Sequence, residues 1–270
     1  MGRLILAIAF IAFAALGTIP TAEAGSSAAT TGPPTFPVEE VGAFAAQVEQ
    51  TLATNRAHVA LVARVGVDPQ DLPDGVRYTH VGFWVYSDLT KPDGTRQRGY
   101  RAHNLYQRAD DMDVSDLVQD SPVEFFSGVA RLEAAIIVPD ARLQEKLARI
   151  LTGPTYAKLH NPAYSVLSNP ATDQFQNCTE HMLNVLMAAL YDTDDMARIK
   201  SNIRAHVRPQ TIALDPFLRL FGPAFTEGVS MADHGERIET TTFASLRDFM
   251  ARYDLSQRVM RVTGAGAGAL

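Results

Sequence analysis

A single cysteine among 270 residues means that no internal disulfide can staple this chain. That thiol is therefore a small buried hydrophobe, an intermolecular link or a group kept for its reactivity. Positive charge is also scarce. The 24 Lys and Arg are outnumbered by 30 Asp and Glu, and the net charge of −6 argues against nucleic acid or an anionic membrane face as the main partner. Heptads, internal repeats and basic clusters are missing, which removes coiled coils and repeat arrays from consideration. The apolar run from Leu4 to Leu16 falls short of the roughly 20 residues that a spanning helix needs.

What that run does fit is export. A basic head, Met1-Gly2-Arg3, precedes it, and Gly17, Pro20 and the small-x-small sequence Ala22-Glu23-Ala24 follow. This pattern predicts a cleaved signal peptide over 1–24 and a periplasmic or extracellular mature chain starting at Gly25, with no integral membrane span left. Residues 25–37, rich in Ser, Ala, Thr, Gly and Pro, read as a flexible leader, because such a composition buries too little apolar surface to order itself. The rest of the chain, at 46% apolar composition overall, can bury a sizeable core. One domain over 38–260 with a helical extension is expected, and the Gly-Ala stretch 261–270 reads as a disordered tail.

Periodicity places helices over 37–56, 139–151, 178–191, 196–206 and 245–253, and strands over 58–65, 134–138 and 238–242. The strongest β signal is a hairpin. Tyr78 to Tyr86 and Arg98 to Gln107 are rich in aromatic and β-branched residues and flank the turn sequence Lys91-Pro92-Asp93-Gly94. The fold class is therefore α+β.

The cysteine falls at an informative place. Residues 169–177 are polar loop and 178–191 are apolar helix, so Cys178 opens the helix. There the unpaired N–H groups and the positive end of the helix dipole favour a thiolate and can hold a developing oxyanion. A cysteine placed only for packing would fall a turn later, among Leu183, Leu186 and Met187. The hairpin offers a base. His80 lies on the first strand with Gly82 on the same face, where the missing side chain leaves room for another group to approach the imidazole. A turn centred beside Pro92 makes His103 its cross-strand neighbour, orienting it through the far ring nitrogen. A slip of one residue would substitute Asn104.

His80-Val81-Gly82-Phe83 on a strand, a polar residue on the next strand, and Asn177-Cys178-Thr179-Glu180-His181 opening a helix together resemble the circularly permuted NlpC/P60 branch of the papain-like superfamily. That branch includes lecithin retinol acyltransferase-like proteins, and its order is His, polar residue, Cys. Across most of its length the chain also resembles a bacterial family known as DUF2145. The resemblance implies a papain-like core, an antiparallel sheet packed on the helix that begins at the cysteine. It implies Cys178 as nucleophile, His80 as base and His103 as third residue, with no cofactor and no metal. The expected function is a cysteine hydrolase or acyltransferase acting on an amide or ester, with peptidoglycan peptide bonds as the first candidates. The alternative is a non-catalytic papain-like binding or accessory protein of the envelope.

Other histidines carry weaker signals. His181 is near Cys178 on the same helix but points along its stem, and His58, His160, His206 and His234 have no catalytic context. No His-x-x-x-His or Glu-x-x-His spacing supports a metal at His80 and His103. The acidic runs 110–113 and 192–195 lack the Gly and distant Glu of a calcium loop.

Overall fold

The structure is a computed structural model that describes residues 35–90, 93–213 and 228–270. The expected signal peptide, the leader up to residue 34 and the Lys91-Pro92 half of the hairpin turn lie outside the described residues. A seven-stranded sheet in the order β4-β3-β2-β1-β5-β8-β9 forms the centre, every neighbour antiparallel. Strands β1 (Val59–Val65), β2 (His80–Thr90), β3 (Arg96–Gln107) and β4 (Ser115–Asp120) run outward as a meander. On the other side of β1 lie β5 (Arg131–Pro139), β8 (Ser256–Thr263) and β9 (Gly266–Ala269), while β6 (Gln210–Thr211) and β7 (Glu239–Thr240) form a separate short pair. This is an α+β fold.

Both faces of the sheet are covered, so β1 is buried throughout and reads as an apolar run broken only by Arg64 instead of an alternation. One set of alternate residues, Leu61, Ala63, Val81, Phe83 and Val85, packs on α3 (Ala141–Leu151), α5 (Cys178–Tyr191), α6 (Met196–His206) and α7 (Phe243–Arg252). The other set, including Ala60, Val62, Trp84 and Ala102, packs on α1 (Val38–Thr54) and α2 (Pro122–Phe126). The short α4 (Pro154–Lys158) adds Tyr156 to the first layer. Helix α5 is buried at every position from Cys178 to Ala189. Burying Met182, Leu183, Val185, Leu186 and Met187 completely is worth on the order of 10 kcal/mol, an upper figure against an extended chain.

Sequence periodicity locates α5 and α6 with their observed ends, 178–191 and 196–206. It misses β4 and misreads the tail. Far from being disordered, residues 261–270 contain the end of β8 and all of β9. The free edge of β5 pairs with β8 from Glu133↔Thr263 to Pro139↔Ser256, and β8 in turn pairs with β9. Backbone hydrogen bonding holds Gly266 to Ala269, so side-chain pattern carries no trace of it. Residues 196–213 are a packed extension, with Ile199 and Ile203 buried in the main core; 214–227 lie outside the described residues.

Candidate functional site

The site forms where the sheet runs out. Strand β1 ends at Val65, β2 starts at His80 and β3 stops at Gln107, so residues from either sheet face can reach one cavity off that end. It has a volume of about 130 Å³ and is lined by Arg64, His80, Leu105, Tyr164, Cys178 and Thr241, among others.

Helix α5 delivers the thiol. Its cap, Asn177, accepts from the Glu180 N–H through Oδ1 at 2.9 Å and donates through Nδ2 to Val166 O at 2.9 Å and Thr240 Oγ1 at 3.2 Å. Satisfying the Glu180 donor in this way anchors the first turn and leaves the earlier amides for the sulfur and for a ligand. Cys178 Sγ lies 3.6 Å from Thr179 Oγ1, against Leu105 and Tyr164, with 8% of the residue exposed. Burial pushes the thiol up from its ordinary value, and the Thr179 hydroxyl, the Val81 and Thr179 main-chain amides and the Arg64 charge pull it down. Burial wins. The dipole at the helix start favours a thiolate, but desolvation of the sulfur outweighs it.

His80 belongs to the opposite face of β2. Its Nε2 lies 3.1 Å from Asn104 Oδ1, and its ring stacks on Tyr106 at 4.6 Å and 19°. An amide oxygen only accepts, so Nε2 carries the proton and Nδ1 keeps the lone pair. Asp120 sets which way the amide points. Its Oδ2 accepts from Asn104 Nδ2 at 3.1 Å and from the Tyr106 hydroxyl at 2.6 Å. Burial first, and then the nearby Arg64 charge, lower the imidazole to about 3, against the opposing pull of Asn104. At neutral pH the ring is uncharged, with Nδ1 as its acceptor.

His103 does not take this place. The hairpin register pairs Phe83 with His103 and Thr90 with Arg96, so the turn is centred on Asp93 and not beside Pro92. An odd shift in register moves a residue to the other face. His103 therefore packs edge-on against Tyr156 at 5.7 Å, and its Nδ1 has no partner, while Asn104 meets His80. Asp93 fixes that centre by accepting from the Thr95 N–H at 2.9 Å and its hydroxyl at 2.6 Å.

Sequence reasoning missed Arg64 and Asp120 altogether. Arg64 pairs with His80 as the last rung of the β1–β2 ladder, and Asp120 ends a strand that periodicity does not reveal. A lone Arg in an apolar strand was the available signal for the first. The sulfur and the imidazole each face this cavity but are not hydrogen-bonded to one another, since their polar contacts are Thr179 and Asn104.

The pattern of the family described as an uncharacterized protein conserved in bacteria, DUF2145, matches residues 51–250. The chain belongs to the DUF2145 family. The matched segment carries Arg64, His80, Gly82, Asn104, Asp120 and Cys178, whereas the edge strands β8 and β9 fall beyond it. No curated protein and no solved structure matches the chain.

Within this DUF2145 segment, Gly82 has a specific task. A Cβ there would stand 2.3 Å from Asn104 Oδ1 and 3.2 Å from His103 O, so only glycine lets the amide cross β2 to the imidazole. Gly82→Ala is expected to cost about 1–3 kcal/mol. Urea unfolding checks this, and most of the loss should vanish in an Asn104→Ala background; an equal loss there would mean Asn104 is not the obstacle.

His181 is not part of the cavity. It is fully buried, the Leu159 backbone is a polar neighbour, neither ring nitrogen makes a hydrogen bond of normal geometry among the described residues, and Tyr156 stands edge-on at 4.8 Å. Burial lowers it to about 3 and lowers His103 to about 4. These two and His80 bind protons more readily unfolded than folded. The stability they contribute is whole above the unfolded value of 6.5 and is lost as pH falls toward 4 and 3. Urea midpoints should therefore decline steadily from pH 7 to pH 4, and a flat profile would mean that the three rings are not shielded from water.

Proposed function

We propose that this chain is an exported thiol acyl-transfer enzyme, a papain-like cysteine hydrolase or acyltransferase acting on an amide or ester. Cys178 is its nucleophile, His80 its base and Asn104 the residue that orients the base. One observation carries the reading: the thiol at the head of α5 and an imidazole whose tautomer is set by Asn104 open into the same cavity. The order His, polar residue, Cys and an antiparallel sheet packed on the cysteine helix support a permuted NlpC/P60-like core. Export rests on the signal-peptide pattern over 1–24, and for an exported bacterial protein the peptide bonds of peptidoglycan are the first candidates.

Chemically, both groups rest neutral. The proton passes from Cys178 Sγ to His80 Nδ1 as sulfur attacks the carbonyl carbon, forming a C–S bond, while the first-turn amides of α5 receive the negative oxygen. The tetrahedral species then collapses, breaking the bond to the amine or alcohol, which leaves with the imidazolium proton. Water or an acceptor resolves the thioester. Contacts that are long without substrate tighten on binding, which allows the proton to cross a gap that is open at rest.

The burial that raises the thiol, together with the missing sulfur–imidazole hydrogen bond, favours a second reading, a non-catalytic papain-like binding or accessory protein. Incubating the mature chain with p-nitrophenyl acetate separates the two. An acetyl thioester on Cys178 by mass spectrometry, with catalytic release of nitrophenolate, supports the enzyme; a protein left unmodified while the ester hydrolyses at the buffer rate supports the binding module.

A further inference from the structure

Arg64 is a charge without a counter-charge in a place where charges are expensive. The residue is 2% exposed, yet it forms no ion pair among the described residues. Its Nη1 donates to the main-chain carbonyls of Phe125 and Ser127, neutral acceptors that do not cancel the charge. Its Nε has no hydrogen-bond partner among the described residues. The guanidinium carbon sits 5.5 Å from the Tyr106 ring centre and 5.3 Å from that of Phe125, so aromatic faces lock its position. Asp120 lies within reach of its field, but Asp120 Oδ2 is already engaged by Tyr106 and Asn104. Buried charges are normally paired, and breaking such a pair costs several kcal/mol.

Arg64 is also part of the cavity lining. It lies there beside His80 and Cys178, and Thr241, 3% exposed, lines the same cavity, its hydroxyl without a partner among the described residues. Val76, Leu167 and Ile212, packed together, supply an apolar part of the lining. A ligand that completes this cavity needs an anionic group for Arg64, an acceptor for Thr241 and an apolar body between them.

We propose that Arg64 recognises a carboxylate carried by the acyl substrate close to its scissile carbonyl, with Thr241 as a second donor and the Val76, Leu167 and Ile212 wall receiving an apolar arm. The proposal rests on the thiol reading above and narrows its substrate to carboxylate-bearing amides or esters. The same guanidinium favours the Cys178 thiolate through its field, so the test separates a charge that recognises ligand from one that only activates sulfur.

Iodoacetate and iodoacetamide differ by a carboxylate against a neutral amide of nearly equal size, and both alkylate a thiolate. Their relative rates at Cys178, measured at one pH on the mature folded chain and on the same chain in urea, cancel any effect of thiol ionisation. Recognition predicts an iodoacetate/iodoacetamide ratio about ten-fold higher folded than unfolded, the factor that one charge-assisted contact supplies. Arg64→Gln should bring the ratio to its unfolded value and Arg64→Lys should keep part of the gain. A ratio unchanged by folding, or both rates slowed equally by Arg64→Gln, overturns recognition while leaving the thiol reading intact. Failure of either reagent to reach folded Cys178 overturns both. If the Arg64 variants do not fold, competition in the natural chain decides: isobutyrate should protect Cys178 from iodoacetamide and isobutyramide should not, and equal protection or none overturns the proposal.

Discussion

Cys178→Ala is expected to reduce turnover of an acyl ester to the rate of buffer, a loss on the order of 10⁴-fold or more. Nothing else in the cavity replaces the sulfur: the neighbouring Thr179, Thr241 and Thr242 hydroxyls have no imidazole bonded to them. His80→Ala, which removes the base but leaves the nucleophile, should cost about 10²–10⁴-fold. Stability serves as the control. Cys178 belongs to a small cluster with Leu105 and Tyr164, so truncating it should destabilise by only about 1 kcal/mol. Unimpaired ester turnover by Cys178→Ala would remove the thiol from the mechanism, and an unstable variant would show that the residue is there for packing.

Lys200→Met should have the largest effect on folding, about 3–5 kcal/mol at neutral pH. Lys200 Nζ donates to Glu180 Oε1, with Lys200 3% and Glu180 0% exposed. Glu180 Oε2 has only the Ser168 hydroxyl nearby and no hydrogen bond of normal geometry among the described residues, so removing the lysine strands a carboxylate under the first turn of the cysteine helix. Burial holds Glu180 up to about 7 even though Lys200 pulls it down. A carboxyl raised in the folded state contributes stability that is complete below its unfolded value of 4.5 and lost as pH rises through 7. Without Lys200 it rises further, so the cost of the substitution should be greatest above pH 7 and shrink toward pH 5, where the protonated acid needs no counter-charge. Urea unfolding of both proteins at pH 5 and pH 8 measures this difference directly. Equal losses at the two pH values would show that water reaches Glu180. Replacing both partners, Glu180→Leu with Lys200→Met, should recover most of the loss, because an apolar pair leaves nothing unsatisfied.

The pair also explains why the α5 sequence hides part of its function. Glu180, His181 and Asn184 look like the polar stripe of an amphipathic helix, yet all three are buried. Glu180, Asn184 and Lys200 line a second cavity with His160 and Asn161, whose lining does not include the thiol. Polar residues at these positions therefore mark the internal support of the site rather than a solvent face.

Some of the site was legible in one dimension because helices and their caps are local. The polar loop to Asn177, the apolar period after it and the acidic stop at Asp192 fix where α5 begins and ends, and so place the cysteine on the first turn. The same holds for Gly82, whose lack of a side chain is visible in the sequence even before its neighbour is known.

What sequence could not decide was everything that depends on register and on distance along the chain. Whether His103 or Asn104 meets His80 turns on the centre of one hairpin, and an odd shift there exchanges the faces of every residue on β3. Arg64 stands opposite His80 only because β1 pairs with β2 across the intervening loop, and Asp120 orients Asn104 only because β4 closes the meander. Nor does ionisation follow from position at a helix terminus: the dipole that favours a thiolate is set by local backbone, but the burial that opposes it comes from Leu105 and Tyr164, both of which lie more than ten residues earlier in the chain. The sequence by itself determined the cysteine helix and the identity of the thiol; the tertiary structure alone decided its partners, because side-chain chemistry is local while pairing and desolvation are not.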